Sequence, residues 1–129
     1  MNWLSMVLRC SLVALVLGLS ARADVTVATY HKALSLGGDL KEVAEAYVMG
    51  AGLALEAANA ELRDTRHQPP LFCTPPSLVL NNENYESIID GWIKGHSRLL
   101  PSSQVEKFPV YIVLMRGLIE TFPCPSQPR

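Results

Sequence analysis

The stretch 39–63 constrains the fold more than any other part of this 129-residue chain. Its apolar residues recur at spacings of three and four, the repeat of one face of an α-helix. The pattern predicts a long amphipathic helix with one apolar stripe. Gly50 and Gly52 each cost about 1 kcal/mol of helix propensity relative to alanine, so we expect another helix to cross closely there. The stripe consists of Leu40, Val43, Ala44, Tyr47, Val48, Ala51, Leu55, Ala58 and Leu62.

Three further helices are expected, at 25–36, 82–94 and 103–122. The first is weakly periodic, whereas the second follows the i, i+3, i+4, i+7 template clearly. Pro109 fits the third only in its first turn or at a kink, because proline has no amide hydrogen to donate. No segment alternates between apolar and polar residues, so strands are not expected. The chain is therefore predicted to be all-α, a small single-domain helical bundle of about four helices.

Short polar residues and glycines predict where these helices begin and end. Gly37 and Gly38 allow the chain to turn before the long helix. Asn81 or Asn82 is expected to cap the helix that follows, and Gly95 is expected to end that helix in the left-handed conformation. Two pairs of residues have the spacing of a capping box, Asp39 with Glu42 and Ser103 with Glu106.

Residues 1–23 have the three-part plan of a secretory signal peptide. The residues before the apolar run Cys10–Leu19 carry one positive charge and no acidic side chain. After the run, small residues precede a predicted cleavage site in front of Asp24. The run has about half of the roughly 20 residues that a membrane-spanning helix needs. We therefore expect export and removal of this segment, with an uncleaved amphipathic anchor as the alternative. Residues 24–129 then form the single helical domain, with a core at roughly 39–124.

Removal of the leader changes the net charge and the number of cysteines. The remaining 106 residues carry nine Lys or Arg and twelve Asp or Glu, a net charge of −3. This charge argues against a nucleic-acid partner, which requires a concentrated basic face. Three cysteines become two, Cys73 and Cys124, and in an oxidising compartment such a pair most simply forms one disulfide. The alternative is a free, nucleophilic thiol.

The sequence contains no pattern typical of an enzyme or of a metal site. His31, His67 and His96 are far apart, and none has a second ligand at the spacings that metal sites use. Cys73 with His67 is the one combination that suggests a nucleophile and its base, but Cys124 offers Cys73 a disulfide partner. We therefore expect a protein that is not an enzyme, with no catalytic residue, no metal ligand and no cofactor.

The segment Gly95–Ser103 is the candidate partner-binding loop. It places His96, Arg98, Leu99 and Leu100 between two expected helices, and binding residues are often found on loops that a rigid scaffold holds. The alternative is that the two leucines fold back as a lid over the core. No run after the leader is long enough to span a membrane, so no membrane association is expected once the leader is removed.

Three motifs stand out along the chain. The first is the glycine-containing helix Tyr47–Ala54, the second is Phe72-Cys73-x-Pro75, and the third is Phe122-Pro123-Cys124. Together with the leader they resemble the Rap/Tai family, the periplasmic immunity proteins of type VI secretion systems. The resemblance covers roughly Asp39 to Cys124, and the two cysteine motifs are its specific part.

The resemblance implies a small helical domain in the periplasm, with a disulfide between Cys73 and Cys124, and a dimer in many members. It also implies that the protein binds a peptidoglycan amidase toxin delivered by a type VI secretion system and occludes its active site. Only the two cysteines and their aromatic and proline neighbours carry over residue by residue. The alternative function is that of a small periplasmic helical chaperone, or holdase, which predicts apolar surface exposed reversibly at low pH.

Overall fold

The structure, a computed structural model, describes residues 24–125. The predicted signal peptide and residues 126–129 lie outside the described residues. The described part contains five α-helices and no strand, which confirms the all-α prediction. In chain order they are α1 (Val27–Leu36), α2 (Gly38–Ala60), α3 (Asn82–His96), α4 (Ser102–Val105) and α5 (Val110–Thr121), and one π-helical turn, Glu61–Thr65, extends α2.

The core lies where four helices meet. Helix α3 packs along α5, α1 packs along α2, and α2 also contacts both α3 and α5. The side chains between them are almost completely shielded from water, and removing apolar area from water is the main force that holds such a bundle together. The largest fully buried side chains are Tyr30, Phe72, Tyr85, Ile89, Leu114 and Leu118.

The predicted start of α3 is confirmed in detail. The Asn81 side chain accepts a hydrogen bond from the Asn84 amide at 2.9 Å, and the Asn84 side chain accepts one from the Asn81 amide at 3.0 Å. These reciprocal bonds satisfy two amides that a helix start leaves without a partner inside the helix. The turn before α2 is also as predicted, because Gly37 and Gly38 both have positive φ, 70° and 57°.

Three predicted helix ends are wrong. Neither expected capping box forms at α2 or α4, since these helices follow Gly37 and Pro101, and neither start has a side-chain cap. Gly95 does not end α3, which continues to His96 and is followed by Ser97 at φ −59°. The residues 97–100 form turns between the end of this helix at His96 and Pro101.

The last expected helix is two helices separated at Pro109. Val27 donates its amide hydrogen to the Phe108 carbonyl at 2.9 Å, and Val110 donates to the Val25 carbonyl at 2.9 Å. These two bonds join the start of α1 to the start of α5. Pro109 stands between them in an extended conformation, so α5 begins only at Val110.

The predicted apolar stripe of α2 is only partly buried. Ala44 and Val48 belong to the core, but Leu40 and Val43 are 54% and 67% exposed, and Ala58 is exposed as well. The expected close crossing occurs at Gly52 alone, where an added Cβ would overlap the ring of Tyr85. An added Cβ at Gly50 would meet nothing within 4 Å, so the prediction is wrong for that residue.

Candidate protein-binding loop

The predicted partner-binding segment is a short loop, 97–101, fastened at both ends. The Leu99 and Leu100 amides donate to the His96 carbonyl at 2.9 and 3.0 Å, which caps the end of α3. At the other end, the Pro101 carbonyl accepts from the Gln104 amide at 2.8 Å in the first turn of α4. The loop is therefore tied to the two helices that flank it.

His96, the first residue of the candidate set, belongs to α3 and supports the loop. Its ring stacks on the indole of Trp92, with ring centroids 4.2 Å apart. His96 Nδ1 lies 2.8 Å from the Trp92 carbonyl oxygen, and because a carbonyl only accepts, Nδ1 carries the hydrogen. Glu120 of α5 connects the group, since Trp92 Nε1 donates to its Oε1 at 3.0 Å and His96 Nε2 lies 3.5 Å from the same oxygen.

The two loop leucines have different environments. Leu99 is 79% exposed at the tip of the loop. Leu100 is half-buried and lines an apolar hollow of about 110 Å³ together with Val27, Ile93 and Val105. Leu100 therefore forms part of the wall of this hollow, whereas the Leu99 side chain is open to solvent. Arg98 is also exposed beside Leu99, so the tip presents one large apolar side chain and one cation.

The rim of the hollow carries a side-chain contact between α1 and α3. His31 Nε2 lies 3.1 Å from Asp90 Oδ1, and both side chains are largely open to solvent. Exposed pairs of this kind contribute between nothing and about 1 kcal/mol. Neither group lies in an enclosed space, so the pair indicates a link between two helices and not a reactive site.

Cys73 and Cys124 form a disulfide, with their Cα atoms 4.9 Å apart. In this structure Cys73 therefore has no free thiol, contrary to the alternative interpretation of the sequence. Between residues 24 and 125, no three His, Cys, Asp or Glu side chains come together as they would around a metal ion.

Burial raises the pKa of Tyr30 and of Tyr85 well above the usual tyrosine value, and the Tyr85 hydroxyl donates to Glu56 Oε1 at 2.8 Å. Both phenols are parts of the core.

One residue with a structural role could not be predicted from the sequence. Asn59 is a buried polar residue of α2, and its side chain holds the backbone of the connection after the π-helical turn. Its Oδ1 accepts from the Leu71 amide at 2.6 Å, and its Nδ2 donates to the Phe72 carbonyl at 2.7 Å. In the sequence this residue is visible only as a single amide side chain among alanines. That pattern has many explanations and does not by itself indicate a buried hydrogen-bonding role.

The comparisons with known proteins found no match. No family model, no curated protein and no solved structure is similar enough to the chain to be reported. Among the described residues, no helix is long and apolar enough to cross a membrane.

Proposed function

We propose that the protein is an exported immunity protein that binds and inhibits a peptidoglycan amidase toxin delivered by a type VI secretion system. The inhibitor occupies the active-site cleft of the toxin, and the loop 97–101 is the part that makes the contact. The identity of the toxin class rests on the resemblance to the Rap/Tai family. The periplasm is the proposed compartment, and the disulfide is compatible with an oxidising environment.

The observation that carries the proposal is the exposure of Leu99 on a loop with a defined backbone. A leucine that is 79% exposed buries little apolar area in the free protein. Binding would remove it from water, and a loop that is already ordered loses little conformational entropy in the complex. A projecting apolar side chain beside a cation suits insertion into a cleft.

The test measures inhibition and affinity with purified amidases, starting with any encoded beside the gene for this chain. We expect Leu99→Asp to weaken binding at least 100-fold, because the aspartate would have to lose its water in the cleft. Val79→Asp is the matched control, since Val79 is 85% exposed on the connection before α3 and should bind as the wild type does. Absence of binding across the set of amidases would overturn the function. Equal effects of the two substitutions would overturn the role of the loop.

A holdase is the second candidate, and a specific observation favours it. Eight large apolar side chains are more than a third exposed in the described part of the chain, and exposed apolar surface is what a holdase offers to unfolded clients. Binding of a hydrophobic dye while the pH is lowered to 2–3 separates the two functions. A reversible rise in dye fluorescence, together with suppression of aggregation of a client protein, supports the holdase.

A further inference from the structure

A groove of about 280 Å³ lies along the seam between α3 and α5. Helix α3 lines it with Ser87, Gly91 and Trp92, and α5 lines it with Glu120 and Thr121. Its volume is close to the lower end of the range for sites that bind small molecules, which is about 300–1,000 Å³. None of its lining residues belongs to the loop 97–101, so the groove is separate from the proposed contact with a toxin.

Two glycines line this groove, and the packing of the chain explains only one of them. An added Cβ at Gly117 would overlap the Ile88 side chain, which packs between α3 and α5. An added Cβ at Gly91 would meet nothing within 4 Å, so no contact within residues 24–125 requires a glycine there. Glycine inside a helix is less stable than alanine, and at Gly91 its effect is to leave the groove open.

The polar side chains of the groove suit a cation. Trp92 Nε1 donates to Glu120 Oε1 at 3.0 Å, and His96 Nε2 lies 3.5 Å from the same oxygen, so Oε2 is the oxygen that can accept from a ligand. The hydroxyls of Ser87 and Thr121 can accept further hydrogen bonds. None of the described residues that line the groove carries a positive charge. An anion would therefore lie against a carboxylate, whereas an ammonium group would pair with it.

We propose that the groove is a binding site for a small organic amine, whose ammonium group pairs with Glu120 and whose carbon body lies against Trp92 and Gly91. An apolar cavity of about 150 Å³ holds one benzene molecule, so a groove of about 280 Å³ has room for about ten non-hydrogen atoms. A lysine side chain of another protein would fill only about half of that space. The occupant is therefore a free molecule, and the site is a function in addition to the proposed inhibition of an amidase.

The first test is an NMR titration of the purified protein, as the expressing cell processes it, with 2-phenylethylamine. The indole N–H of Trp92 is the reporter, because it donates to the carboxylate that the ammonium group would bind. We expect this signal to shift with a dissociation constant of roughly 1 mM, as suits a ligand of this size. No shift of this signal up to about 20 mM amine would overturn the proposal.

Two further ligands test the charge and the source of the occupant. The alcohol 2-phenylethanol has the same carbon body without the charge, and it should bind about 10-fold more weakly or less. Nα-acetyl-lysine amide represents a lysine side chain of a protein, and it should also bind about 10-fold more weakly, because it fills less of the groove. Equal binding of amine and alcohol would overturn the role of Glu120. Equal binding of the lysine compound would overturn the assignment to a free molecule.

The second test locates the site with substitutions that leave the core intact. Gly91→Leu fills the groove without changing its charge and should abolish the shift. Gly95→Leu is the matched control, since Gly95 is also an exposed glycine of α3 with nothing within 4 Å of its added Cβ, and it does not line the groove. Equal binding by the two variants would place the amine elsewhere and overturn the proposal.

Glu120→Gln keeps an oxygen for the Trp92 indole but removes the negative charge, so the amine should bind about 10-fold more weakly. Glu106→Gln is its control, because it removes the same charge from an exposed residue that does not line the groove, and it should bind as the wild type does. Wild-type affinity in Glu120→Gln would overturn the proposed pairing. Neither test involves an amidase or the loop 97–101, so the results are independent of the proposed inhibition.

Discussion

The space beside Gly52 is occupied by the ring of Tyr85, and this contact sets how closely α2 and α3 approach. Tyr85 is fully buried, and its hydroxyl is held by Glu56 at 2.8 Å. The ring therefore has no free direction in which to move. A glycine in the middle of a helix costs propensity, and here that cost is offset by the packing of an aromatic side chain that no larger residue would allow.

We expect Gly52→Ala to lower the free energy of unfolding by about 1–2 kcal/mol. The added methyl group overlaps the Tyr85 ring, and overpacking of about 1–3 kcal/mol exceeds the gain in helix propensity. Gly91→Ala is the control, because its Cβ would enter open space, and it should gain up to about 1 kcal/mol. Urea denaturation measures both. A stabilised Gly52→Ala variant would show that the crossing is looser than described.

At the scale of elements, the connection between the π-helical turn and α3 is ordered without any helix or strand of its own. Phe72 is buried in the core, and the Cys73 amide donates to the Phe122 carbonyl at 2.8 Å beside the disulfide. The Asn59 side chain binds the backbone one residue further back. These three attachments act on consecutive residues and fasten the segment to α2 and to the end of α5.

We expect Asn59→Ala to destabilise the protein by about 2–4 kcal/mol. The substitution leaves the Leu71 amide and the Phe72 carbonyl without their partners, and a buried polar group without a hydrogen bond costs about 1–3 kcal/mol. Gln68→Ala removes an exposed amide from the same connection and should change the stability by less than about 0.5 kcal/mol. Chemical denaturation of the two variants provides the comparison, and a loss below 1 kcal/mol in Asn59→Ala contradicts the role of this side chain.

The helix ends show how far local signals determine this fold. The cap at Asn81 is correctly predicted and its bonds are made within four residues, but the same local spacing at Asp39 and at Ser103 does not produce a cap, because those helices begin after Gly37 and Pro101. Gly95 is wrongly identified because a glycine permits the left-handed conformation but does not impose it. At Pro109 the deciding contact is with Val25 and Val27, more than 80 positions earlier in the chain, and no local pattern contains it.

At the scale of the whole molecule, the disulfide joins the middle of the chain to the end of α5 across 51 positions. In the chain-entropy model, closing a loop of this length is worth about 4 kcal/mol. Domains of this size are stable by only about 5–15 kcal/mol in total, so the bond is a large share of the stability.

We therefore expect Cys73→Ala/Cys124→Ala to lose about 4 kcal/mol in urea denaturation. The wild type in excess reductant should lose a similar amount, because both treatments open the same loop. A loss below 1 kcal/mol in both would show that the core alone holds the connection in place. The mass of the oxidised wild type, two hydrogens lower than that of the reduced chain, verifies that the bond is present before the comparison.

The sequence by itself determined the helical class, the positions of the main helices, the cap at Asn81 and the pair of cysteines, because these depend on local periodicity and on residue type. The tertiary structure alone decided which apolar residues are buried. Leu99 and Leu100 are neighbours of the same type, yet one is exposed and the other lines the hollow. Val43 and Val48 lie on the same predicted stripe, yet only Val48 is covered. The physical reason is that a stripe is buried only where another element packs against it, and the bundle is too small to cover the full width of α2.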